Sequence, residues 1–173
     1  MTAPSRLVVL SGGSGGGKST LLTALADRGF DTVPEWGRAM IAEGVSPWQD
    51  PVGFLRLAVT KAQRDREAAI ARGGLVFFDR SLVDVASALE YLGKEPALHR
   101  LCDAERYDRR AFLAPPWPEI YVNDEDRRHG FDRALAEYDR LARDYPALGY
   151  EVVPLPRVSV EERIAFVLDE LDR

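Results

Sequence analysis

Apolar residues along the chain fall into two rhythms. Short runs read as strands occur at Leu7 to Leu10, Asp31 to Val33, Leu75 to Phe78, Glu119 to Val122 and Tyr150 to Leu155. Between most of them the apolar positions recur at helical spacing. Asp50 and Pro51 form an N-cap and first-turn pair, and Leu55, Ala58, Val59 and Ala62 carry a helix to about Arg72, where Gly73 and Gly74 stop it. Ser81 to Leu92 reads as a helix closed by Gly93. Phe131, Ala134, Leu135, Tyr138 and Leu141 make a further helical stripe. The segment from Ser159 to Glu162 is a capping box for a last helix that carries Ile164, Val167, Leu168 and Leu171 on one face. Strands alternating with helices predict an α/β fold: a parallel sheet with helices on both faces. The cluster from Pro115 to Pro118 reads as a stiff lead into the fourth strand.

Bulk properties narrow this picture without redirecting it. The 173 residues are 46% apolar and 29% charged, which suits one globular domain spanning 1–173. A net charge of -5 argues against general nucleic-acid or anionic-membrane binding and leaves a small anionic ligand as the easier partner. The basic residues are 20 Arg and three Lys, so Lys18 is one of very few ammonium groups. The one cysteine, Cys102, excludes an internal disulfide and reads as a buried small residue. A polar start and short apolar runs give neither a signal peptide nor a membrane span, so a cytoplasmic location is expected.

The chemistry concentrates in one motif. Gly12, Gly13, Ser14, Gly15, Gly16, Gly17, Lys18 and Ser19 fit G-x-x-x-x-G-K-[ST], between the apolar run Leu7 to Leu10 and an apolar-periodic stretch from Leu21, and Thr20 joins them as an expected nucleotide-binding residue. Glycines permit a tight turn with N–H groups directed inward, and the following helix adds a positive dipole end, so the segment is a phosphate-binding loop. Lys18 is expected to reach the β and γ phosphates of ATP and the Ser19 hydroxyl to sit on Mg²⁺.

Acids at the carboxyl ends of the other strands join it. Asp79 closes the run from Leu75 to Phe78 and reads as the Mg²⁺ partner opposite Ser19, or as a helix N-cap. Glu35 follows the second strand and reads as a general base for an attacking hydroxyl, or as an acid favoured at a helix start; Trp36 beside it could stack on a ring-shaped acceptor. Arg80 could grip a phosphate or pair with Asp84, and Arg38 could be an acceptor ligand or a solvent charge. Arg127 and Arg128 follow three acids in a polar segment that could close over bound nucleotide, with Arg127 neutralising charge on the transferred phosphoryl group; local ion pairs at a solvated helix start are the competing reading. His99 and His129 have no partner spacing that suggests zinc.

With the phosphate loop, Glu35, the sequence Phe78-Asp79-Arg80-Ser81 and the Asp124-x-x-Arg127 segment in this order, the chain resembles the P-loop kinase-like ATPases. It looks closest to the AAA-type family that includes nicotinamide riboside kinase-like domains, and more distantly similar to deoxynucleoside kinases. That resemblance implies a three-layer P-loop NTPase fold with a five-stranded parallel sheet in order 2-3-1-4-5. It also implies ATP with Mg²⁺, an arginine-bearing lid at about 123–133, and adenine near the loop from Pro154 to Val158. In the deoxynucleoside kinases a Glu after strand two is the base and an acid-Arg-Ser motif follows strand three, positions matched here by Glu35 and by Asp79, Arg80 and Ser81.

Two functions follow as expectations. One is a kinase that transfers the ATP γ-phosphate to a nucleoside-like or other hydroxyl acceptor, with Lys18, Glu35, Asp79 and Arg127 as catalytic residues and either Glu35 or Asp79 assisting the acceptor hydroxyl. The other is a nucleotide-dependent ATPase or switch that acts on a protein partner with water as acceptor. Oligomeric state stays open.

Overall fold

The computed structural model describes residues 4–121 and 130–173. In chain order it contains β1 (Arg6–Gly12), α1 (Lys18–Asp27), β2 (Asp31–Val33), α2 (Trp36–Ala42), α3 (Pro51–Arg72), β3 (Leu75–Asp79), α4 (Leu82–Gly93), α5 (Leu98–Cys102) and β4 (Arg110–Ala114). A 3₁₀ turn at Pro118–Ile120 follows, then α6 (Phe131–Ala147), β5 (Glu151–Pro154) and α7 (Val160–Asp172). The five strands form one parallel sheet in the order β2-β3-β1-β4-β5, as the resemblance implied.

The sheet divides the core in two because successive strand residues point to opposite faces. Val8, Leu10, Phe77 and Phe112 pack with Leu21, Leu25, Ile164 and Val167 of α1 and α7. Leu7, Val9, Phe78 and Leu113 pack on the other face with α3, α4 and α6 through Ala58, Leu82, Leu89 and Leu141. Both faces of the central strands are covered, so these strands read as continuous apolar runs. Burying one such Leu or Phe contributes about 1.5–3 kcal/mol, and Phe77, wholly inaccessible, would cost about 3–5 kcal/mol on truncation to Ala.

Local signals set several helix ends. Asp50 Oδ1 accepts from the Gly53 amide at 2.8 Å at the start of α3, and Ser159 Oγ accepts from the Glu162 amide at 3.2 Å at the start of α7. The stop of α4 differs from expectation. Gly93 remains in the helix, and the left-handed cap is Lys94 with φ 53°.

The fourth strand also differs. It lies at Arg110–Ala114, and the predicted segment from Glu119 falls on the 3₁₀ turn and the residues after it, with Val122 outside the described residues. Ile120 and Tyr121 carry strong β-propensity, but the slot beside β1 is buried on both faces and takes the run Ala111, Phe112, Leu113 and Ala114, all wholly inaccessible. The cluster from Pro115 to Pro118 therefore ends β4 instead of leading into it.

Because β1 lies between β3 and β4, the chain leaves its carboxyl end for both sides of the sheet and opens a crevice there. Gly12, Asp79, Glu35 and Ala114 all lie at or just beyond that edge.

Candidate active site

The loop from Gly12 to Lys18 wraps the crevice. Gly12 has φ 117°, and any Cβ there would run into the Ala114 carbonyl oxygen of β4. Gly17, with φ 80°, is the N-cap of α1 and offers no side chain to cap it, so the amides of the first turn stay available to an anion. The Lys18 ammonium is buried and donates to the Gly13 carbonyl at 2.6 Å. Burial, with Arg80 nearby, lowers its pKa to about 8.

Ser19 Oγ, in the first turn of α1, donates to Asp79 Oδ2 at 2.8 Å across the crevice. Asp79 is buried, and its Oδ1 has no hydrogen-bond partner among the described residues. The helix that follows is capped by Ser81, whose hydroxyl accepts from the Val83 amide at 3.1 Å, so Asp79 is not the cap. An unpaired buried carboxylate oxygen beside a hydroxyl is a donor set suited to Mg²⁺, which takes few protein ligands and completes its shell with water and substrate phosphates.

Glu35 stands at the N-cap of α2, but its side chain caps nothing. It turns toward Arg80, with Oε1 3.8 Å from Nε. Burial raises its pKa; Arg80 opposes the shift and Asp79 adds to it. Arg80 is a non-glycine residue at φ 69°, held there by its amide, which donates to Leu10 O at 2.9 Å. Such a backbone costs about 1–3 kcal/mol and persists where surrounding contacts over-determine it. Its guanidinium donates to Glu137 at 2.8 Å and lies 3.5 Å from Asp84. Burial works against the Arg80 charge, but Glu137, Asp84 and Glu35 outweigh it and keep the group protonated. Burial alone would push the Glu137 carboxyl up, yet Arg80 and Lys18 hold it below the usual carboxylate range.

Behind this cluster Asp84 accepts from Ser11 Oγ at 2.5 Å, Tyr145 OH at 2.6 Å and the Ser81 amide at 2.9 Å. With its lone pairs taken up by three elements, it anchors the inner end of the ion cluster.

Two cavities meet at the loop. One, of about 250 Å³, is lined by Glu35, Asp79, Arg80 and Glu137 and walled by Trp36, Trp48 and Phe54. The other, of about 540 Å³, lies over Gly15, Gly17 and Thr20 and is bounded by Trp117, Ile120, Val158 and Arg163. Lys18, Ser19 and Arg38 line both.

The structure thus brings together Lys18, Ser19, Asp79 and Glu35. Arg127, with Arg128 and His129, lies outside the described residues, as does most of the expected lid at 123–133. His99 is exposed on α5 beside Asp103, and Cys102 is buried, with burial pushing its thiol up to about 12. Sequence reasoning missed Glu137, Trp117 and Arg163. Glu137 had a signal, since it falls on the Ala134 and Leu141 side of α6, where an acid on an apolar face calls for a partner. Trp117 and Arg163 had none, because only the fold brings the exits of β4 and β5 to the loop.

This fold and site define a P-loop kinase-like domain. A family model described as an AAA domain matches residues 7–163, and the chain belongs to that family. No curated protein matches the sequence. Among solved structures the chain is similar to a deoxyadenosine kinase from M. mycoides with bound dATP, at a TM-score of 0.70 and 10% identity over 97% of this chain and 100% of that one. It is similar to a NadR protein in complex with NR, at a TM-score of 0.68 and 19% identity over 97% of this chain and 51% of that one. A thymidylate kinase from Ehrlichia chaffeensis gives a TM-score of 0.60 and 16% identity over 96% and 98%. Among the described residues no helix is long and apolar enough to cross a membrane.

Proposed function

We propose that the protein is a small-molecule kinase that transfers the γ-phosphate of ATP to a hydroxyl of a nucleoside-like acceptor. The observation that carries this reading is the pair of cavities joined at Lys18 and Ser19, one over the phosphate loop and one holding Glu35. A nucleotide whose phosphates follow the loop presents its γ-phosphate at that junction, where an acceptor in the smaller cavity meets it in line.

Each side chain has a task in this scheme. Lys18 and the first-turn amides of α1 neutralise phosphate oxygens. Ser19 and Asp79 would hold Mg²⁺, which supplies further neutralisation of the phosphate oxygens when bound. Glu35 accepts the proton of the acceptor hydroxyl as its oxygen bonds to phosphorus and the bond to ADP breaks. The raised pKa of Glu35 moves it toward the range where a carboxylate is an effective base. Arg80, fixed by Glu137 and Asp84, orients Glu35. Arg127 is proposed to add charge neutralisation from the lid.

The walls speak to the acceptor. Trp36, Trp48 and Phe54 suit a flat ring. Four carboxylates, Glu35, Asp79, Asp84 and Glu137, line the same cavity as Lys18, Arg38 and Arg80, so it carries no positive excess for a phosphorylated acceptor. An unphosphorylated nucleoside fits better than a nucleotide, in keeping with similar solved structures described as a deoxyadenosine kinase and as a NadR protein in complex with NR. The test is ATP consumption against a panel of nucleosides, nicotinamide riboside, nucleotides and amino sugars. Turnover stimulated by one unphosphorylated acceptor is expected. Acceptor-independent hydrolysis altered by a protein partner would replace the kinase by a switch.

A further inference from the structure

Arg163 is a large side chain almost wholly removed from solvent, and it is a cation. Its Nε donates to Pro156 O at 2.8 Å and its Nη1 to Gly16 O at 2.6 Å, which ties the exit of β5 to the phosphate loop. Nη2 is buried without an acceptor, and no carboxylate pairs with the guanidinium among the described residues. A buried donor left unmade costs about 1–3 kcal/mol, more when it is charged. The residue lines the larger cavity, beside Ile120, Val158 and Val160.

Its plane is held by an aromatic ring that also bounds the cavity. The Trp117 ring lies against the guanidinium, 5.0 Å from ring centre to Cζ, and Trp117 is placed by the neighbouring Pro116, whose carbonyl accepts from Arg157 Nη2 at 2.6 Å. Two arginines from the segment after β5 therefore bind the loops after β1 and β4 into one preformed wall.

The occupant of that wall is an aromatic heterocycle more readily than a phosphate. The loop already holds its own phosphate neutralisers, Lys18 and the start of α1, and Arg163 meets that loop through the Gly16 carbonyl, not through an amide offered to an anion. Apolar Ile120, Val158 and Val160 suit the faces of a ring, while a donor-only guanidinium suits an acceptor atom on the ring's edge. We propose that Arg163 reads the base of the bound nucleotide through Nη2, and that Trp117 acts as a positioning residue by holding the guanidinium plane. This rests on the reading that the larger cavity takes the phosphate-donor nucleotide.

The test compares binding of ATP with binding of inorganic tripolyphosphate, which carries the phosphates and no base. In the wild type, ATP is expected to bind more tightly than tripolyphosphate. Arg163→Lys, which keeps a cationic donor for the Gly16 carbonyl but lacks the second nitrogen of the fork, should weaken ATP about 10- to 100-fold, as loss of a hydrogen bond to a charged group does, and leave tripolyphosphate within about twofold. In turnover the same variant should raise KM for ATP with little change in kcat. Trp117→Leu keeps an apolar side chain but frees the guanidinium, and should weaken ATP several-fold with tripolyphosphate unchanged; because Trp117 also bounds the cavity, the deciding result is that it adds nothing further in an Arg163→Lys background, whereas an additive loss would mean that the ring acts on its own. Equal weakening of both ligands would overturn the proposal in favour of a role in shaping the loop. Unchanged ATP binding, or a wild type that binds ATP no better than tripolyphosphate, would overturn it too. A wild type that binds neither ligand would sink the nucleotide reading of the cavity itself.

Discussion

The two cavities that share Lys18 are built in opposite ways. The larger one rests on backbone: loop amides, a helix start and carbonyls pinned by arginine side chains. The smaller one rests on ionised side chains from the N-cap of α2, β3, α4 and α6 packed around Arg80. A backbone cradle recognises what all nucleotides have in common, phosphate charge and spacing. A side-chain cluster can be tuned to one acceptor, because each carboxylate changes the pKa and position of the next. Substitutions should therefore divide into those that affect nucleotide binding and those that affect acceptor chemistry.

The sharpest separation is expected from Glu35→Gln, which keeps shape and removes basicity. Acceptor phosphorylation should fall about 10²- to 10⁴-fold while ATP affinity, measured by calorimetry, stays the same. In the wild type the acid limb of kcat/KM should lie above the ordinary carboxylate range, since activity is lost as pH falls through the raised pKa of Glu35. If the variant loses little activity, Glu35 leaves the mechanism and Asp79 becomes the leading base.

Lys18→Ala removes the group common to both cavities and should cost about 10²- to 10³-fold in turnover with the fold intact by circular dichroism. Near-normal turnover in a folded variant would refute the loop's catalytic role. Asp79→Asn comes next, with Mg²⁺ affinity expected to fall about 10- to 100-fold in a metal titration of activity. Asn keeps an acceptor for Ser19 but has no charge, so an unshifted titration would leave Asp79 with a structural role only.

The wild-type pH dependence of ATP binding gives a smaller effect on the nucleotide side. Free Lys18 has its pKa lowered to about 8, whereas bound phosphate stabilises its charged form. Above pH about 8 binding must take up a proton, so ATP affinity should fall by up to about tenfold per pH unit. A flat profile through that range would mean that Lys18 does not meet the phosphates. Smallest of all should be Glu137→Gln, which loosens Arg80 and raises KM for the acceptor about fivefold, on the order of 1 kcal/mol, without touching ATP affinity. An effect on ATP instead would erase the contrast between the cavities.

The phosphate-loop motif was legible in the chain because its residues are consecutive: glycines for the turn, then Lys18 and Ser19 at the start of the helix that follows. Strand-end positions made Asp79 and Glu35 visible for a similar reason, since a parallel sheet delivers all its carboxyl ends to one edge. Helix starts at Asp50 and Ser159 were equally local. The fourth strand was not, because local propensity favoured Glu119 to Val122 while burial beside β1 selected Arg110–Ala114.

Sequence alone also left open whether Asp79 caps a helix or faces Ser19, and whether Glu35 serves the α2 dipole or the crevice. Tertiary structure placed Ser81 at the cap, Ser19 against Asp79 and Arg80 beside Glu35. It also brought in Glu137 from α6 and Arg163 from α7, 57 residues from Arg80 and 147 from Gly16 along the chain. A motif whose parts are neighbours in sequence is fixed by backbone geometry that the sequence encodes directly. A site assembled from the exits of separate strands depends on which strand occupies which slot, and that is decided by burial against the rest of the fold.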